Sequence, residues 1–166
     1  MKKQAPDAID LLDADHLAVH GLFVAYRDLV RTRAPALQRH ALAEEICLQL
    51  TIHARLEEEL FYPAVREALR ESGLVDEAED DHGSQREFIA QILATPPEDP
   101  LYDAKVAVLA EYVERHVRKE REEVFNRALA SRLDLHSLAR SITVRREELR
   151  AVPEALREEA LASAIA

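Results

Sequence analysis

The stretch LAEEICLQLTIHARLEEELFYPA, residues 42–64, is typical of a helix that buries one face. At a helical advance of about 100° per residue, Ile46 and Leu50 fall on the same side as His53, and Glu57 lies only about 40° from it. A histidine and a glutamate therefore share the middle of an apolar stripe. An ionised glutamate in such a place is costly unless a cation neutralises it.

The same pairing recurs in HVRKEREEVF, residues 116–125. His116 and Glu120 lie along a stripe that includes Val113 and Val124, whereas Glu123 falls at the edge of that stripe. Glu120 is therefore the inward carboxylate of this second histidine and glutamate pair.

Two further segments supply inward histidines. In DHLAVHGLF, residues 15–23, His16 lies inside the apolar stripe and His20 lies near its edge, one turn later. In EDDHGSQ, residues 79–85, His82 aligns with the apolar positions of its own segment. A single inward histidine is more often a hydrogen-bonded core residue than a metal ligand. Four of them converging with two carboxylates predict one or two divalent metal ions.

Composition supports an all-α fold. The 166 residues are 48% hydrophobic and 33% charged, with only 3 Gly and long runs of Ala, Leu, Glu and Arg, which are good helix formers. We expect an up-and-down four-helix bundle over residues 1–131 and a helical extension over 132–166 that packs on the bundle or on a partner. The helices are expected near 7–33, 36–70, 80–94, 101–131 and 134–150, with a short helix after Pro153.

Two details of this layout follow from local signals. Pro63 falls inside the second helical pattern and is expected to kink that helix or end it early. Two full helices around the break at residues 72–73 would place Glu57 and His82 about 10 Å apart in height. We therefore expect residues 72–79 to return in an extended conformation, with the third helix beginning only near Asp80 or Asp81.

Charge and cysteine content exclude several classes of protein. A net charge of −10 disfavours nucleic-acid binding, and we interpret the basic patch of Arg140, Arg145, Arg146 and Arg150 as a solvated helix face. The lone Cys47 forms no internal disulfide. No apolar run approaches membrane-spanning length and no signal peptide is apparent, so a cytoplasmic protein without a membrane partner is expected.

The four quoted motifs, taken in their order along the chain, resemble the hemerythrin-like HHE cation-binding domain over roughly residues 9–130. The resemblance implies a non-heme di-iron centre, oxo- or hydroxo-bridged, with Glu57 and Glu120 as bridging ligands. Imidazole and carboxylate donors without a thiolate also favour iron or manganese over the zinc ion of a Cys-rich structural site. The ligands implied by the resemblance are His16, His53, Glu57, His82, His116 and Glu120.

The chain departs from the oxygen carriers of that family at two places. Arg86 stands where the carriers have a second histidine, and His116 is followed by Glu120 instead of an aspartate. These differences argue against reversible oxygen carriage. Either His20 supplies the missing imidazole or an iron position stays open for a small molecule, and Tyr112 could approach that position as a phenol ligand.

Three functions remain open at the level of sequence. The first is a di-iron protein that binds or processes dioxygen, peroxide or nitric oxide. The second is an iron- or oxygen-responsive sensor without turnover, in which the C-terminal helices report to a partner. The third is a metal-free helical interaction protein. A homodimer is compatible with each of them.

Overall fold

The computed structural model describes residues 4–71 and 73–163, and all regular secondary structure in these ranges is helical. The expected all-α class is confirmed. Within these residues there are eight α-helices and two π-helical turns. In chain order they are α1 (Ala8–Arg31), α2 (Ala36–Leu56), π1 (Glu57–Phe61), α3 (Tyr62–Leu69), α4 (Gly73–Ala94), α5 (Tyr102–Lys119), π2 (Glu120–Phe125), α6 (Asn126–Ala130), α7 (Leu135–Arg150) and α8 (Pro153–Ala162).

Two of the expected long helices contain a π-helical turn, so the described chain has more helical segments than the sequence predicted. At π1 the backbone N–H of Tyr62 donates to the carbonyl of Glu57, five residues earlier. The helix does not end early at Pro63, which lies in the first turn of α3. There the missing backbone N–H of proline is tolerated.

The predicted start of the third helix is wrong. α4 begins at Gly73, and Asp80 and Asp81 lie within it, so no extended return precedes it; Ser72 itself lies outside the described residues. α3 ends at Leu69, followed by Arg70 in the left-handed conformation with φ 51°. Glu57 therefore lies twelve residues before the end of its helix and His82 nine after the start of α4. The expected height mismatch of about 10 Å is thereby reduced to about 5 Å.

The helices enclose a common interior. α1 packs against α2, α2 against α4, α4 against α5, and α5 against α1. Two apolar clusters fill this interior, one around Leu12, Leu56 and Phe61 and the other around Phe23 and Leu109. On α1, on α4 and on α5 with π2, the polar inward residues fall between those of the two clusters, whereas on α2 and π1 they lie among the residues of the Leu12 cluster nearest the other one. A polar layer therefore lies at the boundary between two apolar cores.

The C-terminal helices pack on this assembly. α7 contacts α1, α2 and π1, and α8 contacts α4 and α2. Ile142, Leu149 and Leu156 are buried in one of the two cores, and Arg157 pairs with Glu44 at 2.8 Å. Among the described helices, none combines the length and apolarity that crossing a membrane requires.

The basic patch on α7 is not uniformly solvated as expected. Arg140 and Arg150 are exposed, but Arg145 donates to Glu59 at 2.7 Å and Arg146 donates to Asp15 at 2.6 Å. Long side chains can lie along an apolar surface with their charged ends paired, which helical periodicity does not reveal.

Candidate metal centre

Six buried side chains meet in the polar layer between the two apolar cores. Glu57 and Glu120 are 0% and 1% exposed, and the histidines are at most 6% exposed. They are the six residues singled out in the sequence: His16, His53, Glu57, His82, His116 and Glu120.

The donor atoms of these residues form two groups that share both glutamates. His16 and His53 belong to one group, and His82 and His116 belong to the other. Within each group the donor atoms lie within 4.8 Å of one another. Two carboxylates that belong to two adjacent groups of donors have the arrangement expected of ligands that bridge two metal ions.

Each of two helical hairpins supplies half of the donors. The first hairpin, α1 with α2, π1 and α3, carries His16 and the His53–Glu57 pair. The second hairpin, α4 with α5, π2 and α6, carries His82 and the His116–Glu120 pair. In both hairpins a π-helical turn begins at the glutamate. Each group of donors combines two histidines of one hairpin with a glutamate from each.

The arrangement of the donor atoms fits a bound cation. Glu57 Oε1 lies 2.6 Å from His53 Nε2 and 3.5 Å from His82 Nε2. Yet neither oxygen of Glu57 has a hydrogen-bond partner among the described residues, and the same holds for Glu120 Oε1 and His116 Nε2. Unpaired buried oxygens are costly. Close donor atoms without hydrogen-bond geometry are accounted for when they face a shared metal ion.

When no metal is bound, protons on the imidazoles balance negative charge of the buried carboxylates. Burial disfavours the charged form of His53, but Glu57 and Asp15 outweigh it and raise its pKa well above the ordinary value. The same competition, burial against Glu57 and Glu58, raises the pKa of His82 to about 9. Burial is likewise outweighed by Glu120 at His116, whose pKa is raised.

The pKa of Glu120 is shifted in the opposite direction to those of the histidines. Burial alone would raise its pKa, but the imidazoles of His116 at 3.4 Å and His16 at 3.3 Å outweigh the burial and hold the pKa well below its usual value. In the metal-free centre these shifts favour the imidazolium form of His53, His82 and His116 and the carboxylate form of Glu120. A metal ion that binds there replaces protons.

A carboxylate faces the outer ring nitrogen of every histidine in the centre. Nδ1 of His16 lies 3.2 Å from Asp13, that of His53 3.0 Å from Asp15, and that of His116 3.1 Å from Asp81. The fourth, His82, has Nδ1 3.4 Å from Glu58 Oε1. Such carboxylates fix the imidazole with its Nε2 lone pair turned towards a metal.

Arginines hold two of these carboxylates from within the two hairpins. Arg121 donates to Asp13 at 2.5 Å, and Arg86 donates to Glu58 at 2.5 Å. Arg86 is the residue that stands where oxygen carriers have a second histidine. It lies 47% exposed beside the layer and supports the carboxylate behind His82.

His20 and Tyr112 lie outside the two donor groups. His20 is 54% exposed in its side chain and its Nδ1 lies 3.5 Å from Glu114. The ring of Tyr112 packs against Phe88, 5.4 Å between centroids, with the guanidinium of Arg115 over its face. Neither contact is directed at the buried carboxylates.

Tyr62 is the phenol that reaches the centre, and the sequence analysis missed it. Its hydroxyl donates to Glu120 Oε2 and lies 3.4 Å from His82 Nε2. Burial and the charges of Glu57 and Glu120 raise the pKa of Tyr62 well above its ordinary value, so the phenol stays protonated. Neither Pro63, which follows it, nor the three glutamates at 57–59 gives a sequence signal that points to this role.

Replacing Tyr62 with phenylalanine is expected to destabilise the metal-free protein by about 1.5–3 kcal/mol, because a buried carboxylate loses a charge-assisted hydrogen bond. Urea unfolding at neutral pH measures this difference. Tyr112→Phe is the matched control and should change the unfolding free energy by less than about 0.5 kcal/mol. Equal effects of the two substitutions would contradict the hydrogen bond to Glu120.

A cavity of about 610 Å³ lies between α1 and α5 and reaches His16. Its inner wall is apolar, formed by Phe23, Val113 and Val117, whereas Arg118 and Glu122 lie nearer to solvent. This cavity therefore connects solvent with the His16 side of the polar layer.

Comparison with known proteins places these residues in context. The family model of the hemerythrin HHE cation-binding domain matches residues 7–128. A protein named DNA nickase from Nostoc sp. (strain PCC 7120) is 32% identical over 123 residues, which are 74% of this chain and 34% of the nickase. The chain thus spans about a third of that relative's length.

Two further proteins match over most of their length. The uncharacterized protein Rv2633c of Mycobacterium tuberculosis (strain H37Rv) is 26% identical over 150 residues, 89% of each chain. The crystal structure of a hemerythrin HHE cation-binding domain-containing protein from Mycobacterium kansasii, a homolog of Rv2633c, superposes with a TM-score of 0.76 at 24% identity. It covers 97% of this chain and 98% of the solved one, which shows a shared fold.

Proposed function

Because the chain belongs to the hemerythrin HHE cation-binding domain family, we propose that it is a non-heme di-iron protein that binds or processes a small molecule. The candidate molecules are dioxygen, peroxide and nitric oxide. One observation carries the proposal: two groups of buried donors share Glu57 and Glu120, and oxygens of both glutamates lack hydrogen-bond partners in the described part of the chain.

The residues have distinct roles in this proposal. His16 and His53 would hold one ion, His82 and His116 would hold the other, and Glu57 and Glu120 would be ligands of both. An iron pair supplies redox chemistry and binding of small oxygen- or nitrogen-containing ligands. The protein holds the imidazoles in a fixed tautomer through the outer carboxylates, and the two apolar cores exclude water from the layer.

The donor chemistry favours iron or manganese. All six donors are imidazole nitrogens or carboxylate oxygens, and the one cysteine, Cys47, is buried in an apolar cluster away from them. Burial raises the pKa of the Cys47 thiol to about 12, so no thiolate is offered to a metal.

The cavity beside His16 supports a small ligand. Its apolar inner wall suits an uncharged diatomic molecule or peroxide, and the polar rim leads to solvent. The polar layer itself has no room for a large substrate, because each of the six donor residues is buried.

Protein purified from iron-supplemented cells is expected to contain about two iron ions per chain, as two donor sets sharing two glutamates require. Its oxidised form should absorb in the near-ultraviolet as an oxo-bridged iron pair does. Elemental analysis with parallel loading of manganese and zinc measures both stoichiometry and preference. A carefully loaded sample without metal would refute the proposal and favour the metal-free interaction protein.

A second candidate function is an iron- or oxygen-responsive sensor. It is favoured by the packing of α7 on α1, α2 and π1, the elements that carry His16, His53 and Glu57. A metal-dependent change in oligomeric state, for example between a monomer and a homodimer, would favour the sensor. The net charge of −10 disfavours a nucleic-acid partner for this chain, and the name nickase describes the relative only.

A further inference from the structure

The C-terminal helix α7 reaches the metal centre through one arginine. The two terminal nitrogens of Arg146 donate to both oxygens of Asp15, at 2.6 and 2.9 Å. The two side chains are only 12% and 17% exposed. A bidentate pair of this kind fixes the plane of the carboxylate as well as its position.

Asp15 passes this constraint on to a ligand of the centre. The oxygen that accepts from Arg146 at 2.9 Å also lies 3.0 Å from His53 Nδ1. When Nδ1–H donates to the carboxylate, the lone pair of the ring is on Nε2, which faces Glu57 at 2.6 Å. The ring torsion of histidine is broad by itself, so this contact sets its orientation.

We propose that Arg146 is a positioning residue of the metal centre, which fixes His53 through Asp15 and makes α7 a part of the site. The inference rests on the proposed function. It extends the centre beyond residues 7–128, the segment that the family model matches.

Burial distinguishes Arg146 from the arginines that support other histidines. The side chains of Arg86 and Arg121 are 47% and 40% exposed, and both belong to the hairpins that carry the ligands. Arg146 is 12% exposed and belongs to α7. Because a buried bidentate pair is screened less by solvent and salt than an exposed one, Arg146 is expected to have the largest effect of the three.

The neighbouring arginine provides a matched control. Arg145 lies on the same helix and pairs with Glu59 and Glu148, neither of which contacts a histidine of the centre. Arg146→Met should release iron to an excess of chelator about 10- to 100-fold faster than the wild type. Arg145→Met should release it at nearly the wild-type rate, with an unchanged absorption spectrum.

Two further variants separate positioning from a general loss of packing. Asp15→Asn should speed iron release as Arg146→Met does, and the double variant should release iron no faster than Asp15→Asn alone, because both substitutions break one chain of contacts. Arg146→Lys keeps the charge without the planar fork and should give an intermediate rate. A structural role alone would give additive effects and no such partial rescue.

The outcomes distinguish this inference from the proposed function. If the wild type binds iron and Arg146→Met behaves like Arg145→Met, the role of Arg146 is refuted and the di-iron proposal stands. If Arg146→Met does not fold, Asp15→Asn and Arg146→Lys decide the matter by the same release rates. A wild type that holds no metal would overturn both.

Discussion

Replacing Glu57 or Glu120 with alanine is expected to reduce bound iron from about two ions per chain to less than one. Each glutamate belongs to both groups of donors, so its loss removes a ligand from each ion at once. A terminal histidine belongs to one group only. Iron analysis after identical loading, together with the near-ultraviolet spectrum, measures the loss.

Two substitutions serve as controls. His20→Ala and Glu123→Ala should retain iron, because both side chains are exposed and lie outside the two groups. Circular dichroism confirms that each variant is folded before loading. Equal iron loss in Glu57→Ala and His20→Ala would mean that His20 is a ligand and that the centre differs from the arrangement described above.

The iron-loaded protein is expected to melt on the order of 10 °C above the metal-free protein at alkaline pH, with the difference shrinking as the pH falls. Metal binds the folded chain with both hairpins docked and adds its binding free energy to stability. Thermal melts of both forms between about pH 5 and about pH 10, a range that spans the histidine pKa values, give the comparison directly.

The sign of this dependence follows from the histidines. The pKa values of His53 and His116 are raised in the metal-free fold and that of His82 is raised to about 9. Their protonated forms stabilise the metal-free fold fully below the unfolded pKa, about 6.5, and this contribution is lost as pH rises through the folded values. Iron must displace these protons.

Proton competition therefore begins at higher pH than free histidine would suggest. The gap between loaded and metal-free melting temperatures should be widest above about pH 9, where His82 is neutral, and should narrow steadily below it. Identical melts of the two forms at alkaline pH would contradict a metal centre that stabilises the fold. A gap that widens in acid would contradict the protonation of the metal-free centre.

Helical periodicity predicted the inward residues because they lie on regular helix. His53 and Glu57 are separated by one ordinary turn, as are His116 and Glu120, so 100° per residue places each pair correctly on the apolar stripe. The predicted start of α4 was wrong because it assumed that the preceding helix continues to residue 72, whereas α3 ends at Leu69. Asp80 and Asp81 were therefore considered as caps of a later start. In the structure both lie within α4, where Asp81 faces His116.

Tyr62 and the arginines were missed for other physical reasons. A regular helix would put Tyr62 about 180° from His53, on the opposite face. The π-helical turn between them advances more slowly around the axis, and brings the phenol to Glu120. The contact of Arg146 with Asp15 joins residues 131 positions apart, and periodicity along one helix carries no information about such a pair.

The division of donors between two hairpins would make ions bound in the proposed centre reversible cross-links within the chain. A nascent chain that ends before α4 carries His16, His53 and Glu57 but lacks the second shared glutamate. During refolding, tight capture of metal by the proposed centre would therefore follow the docking of the second hairpin on the first. Bound iron would then act mainly on the unfolding rate, because it would hold together two hairpins that are distant in sequence.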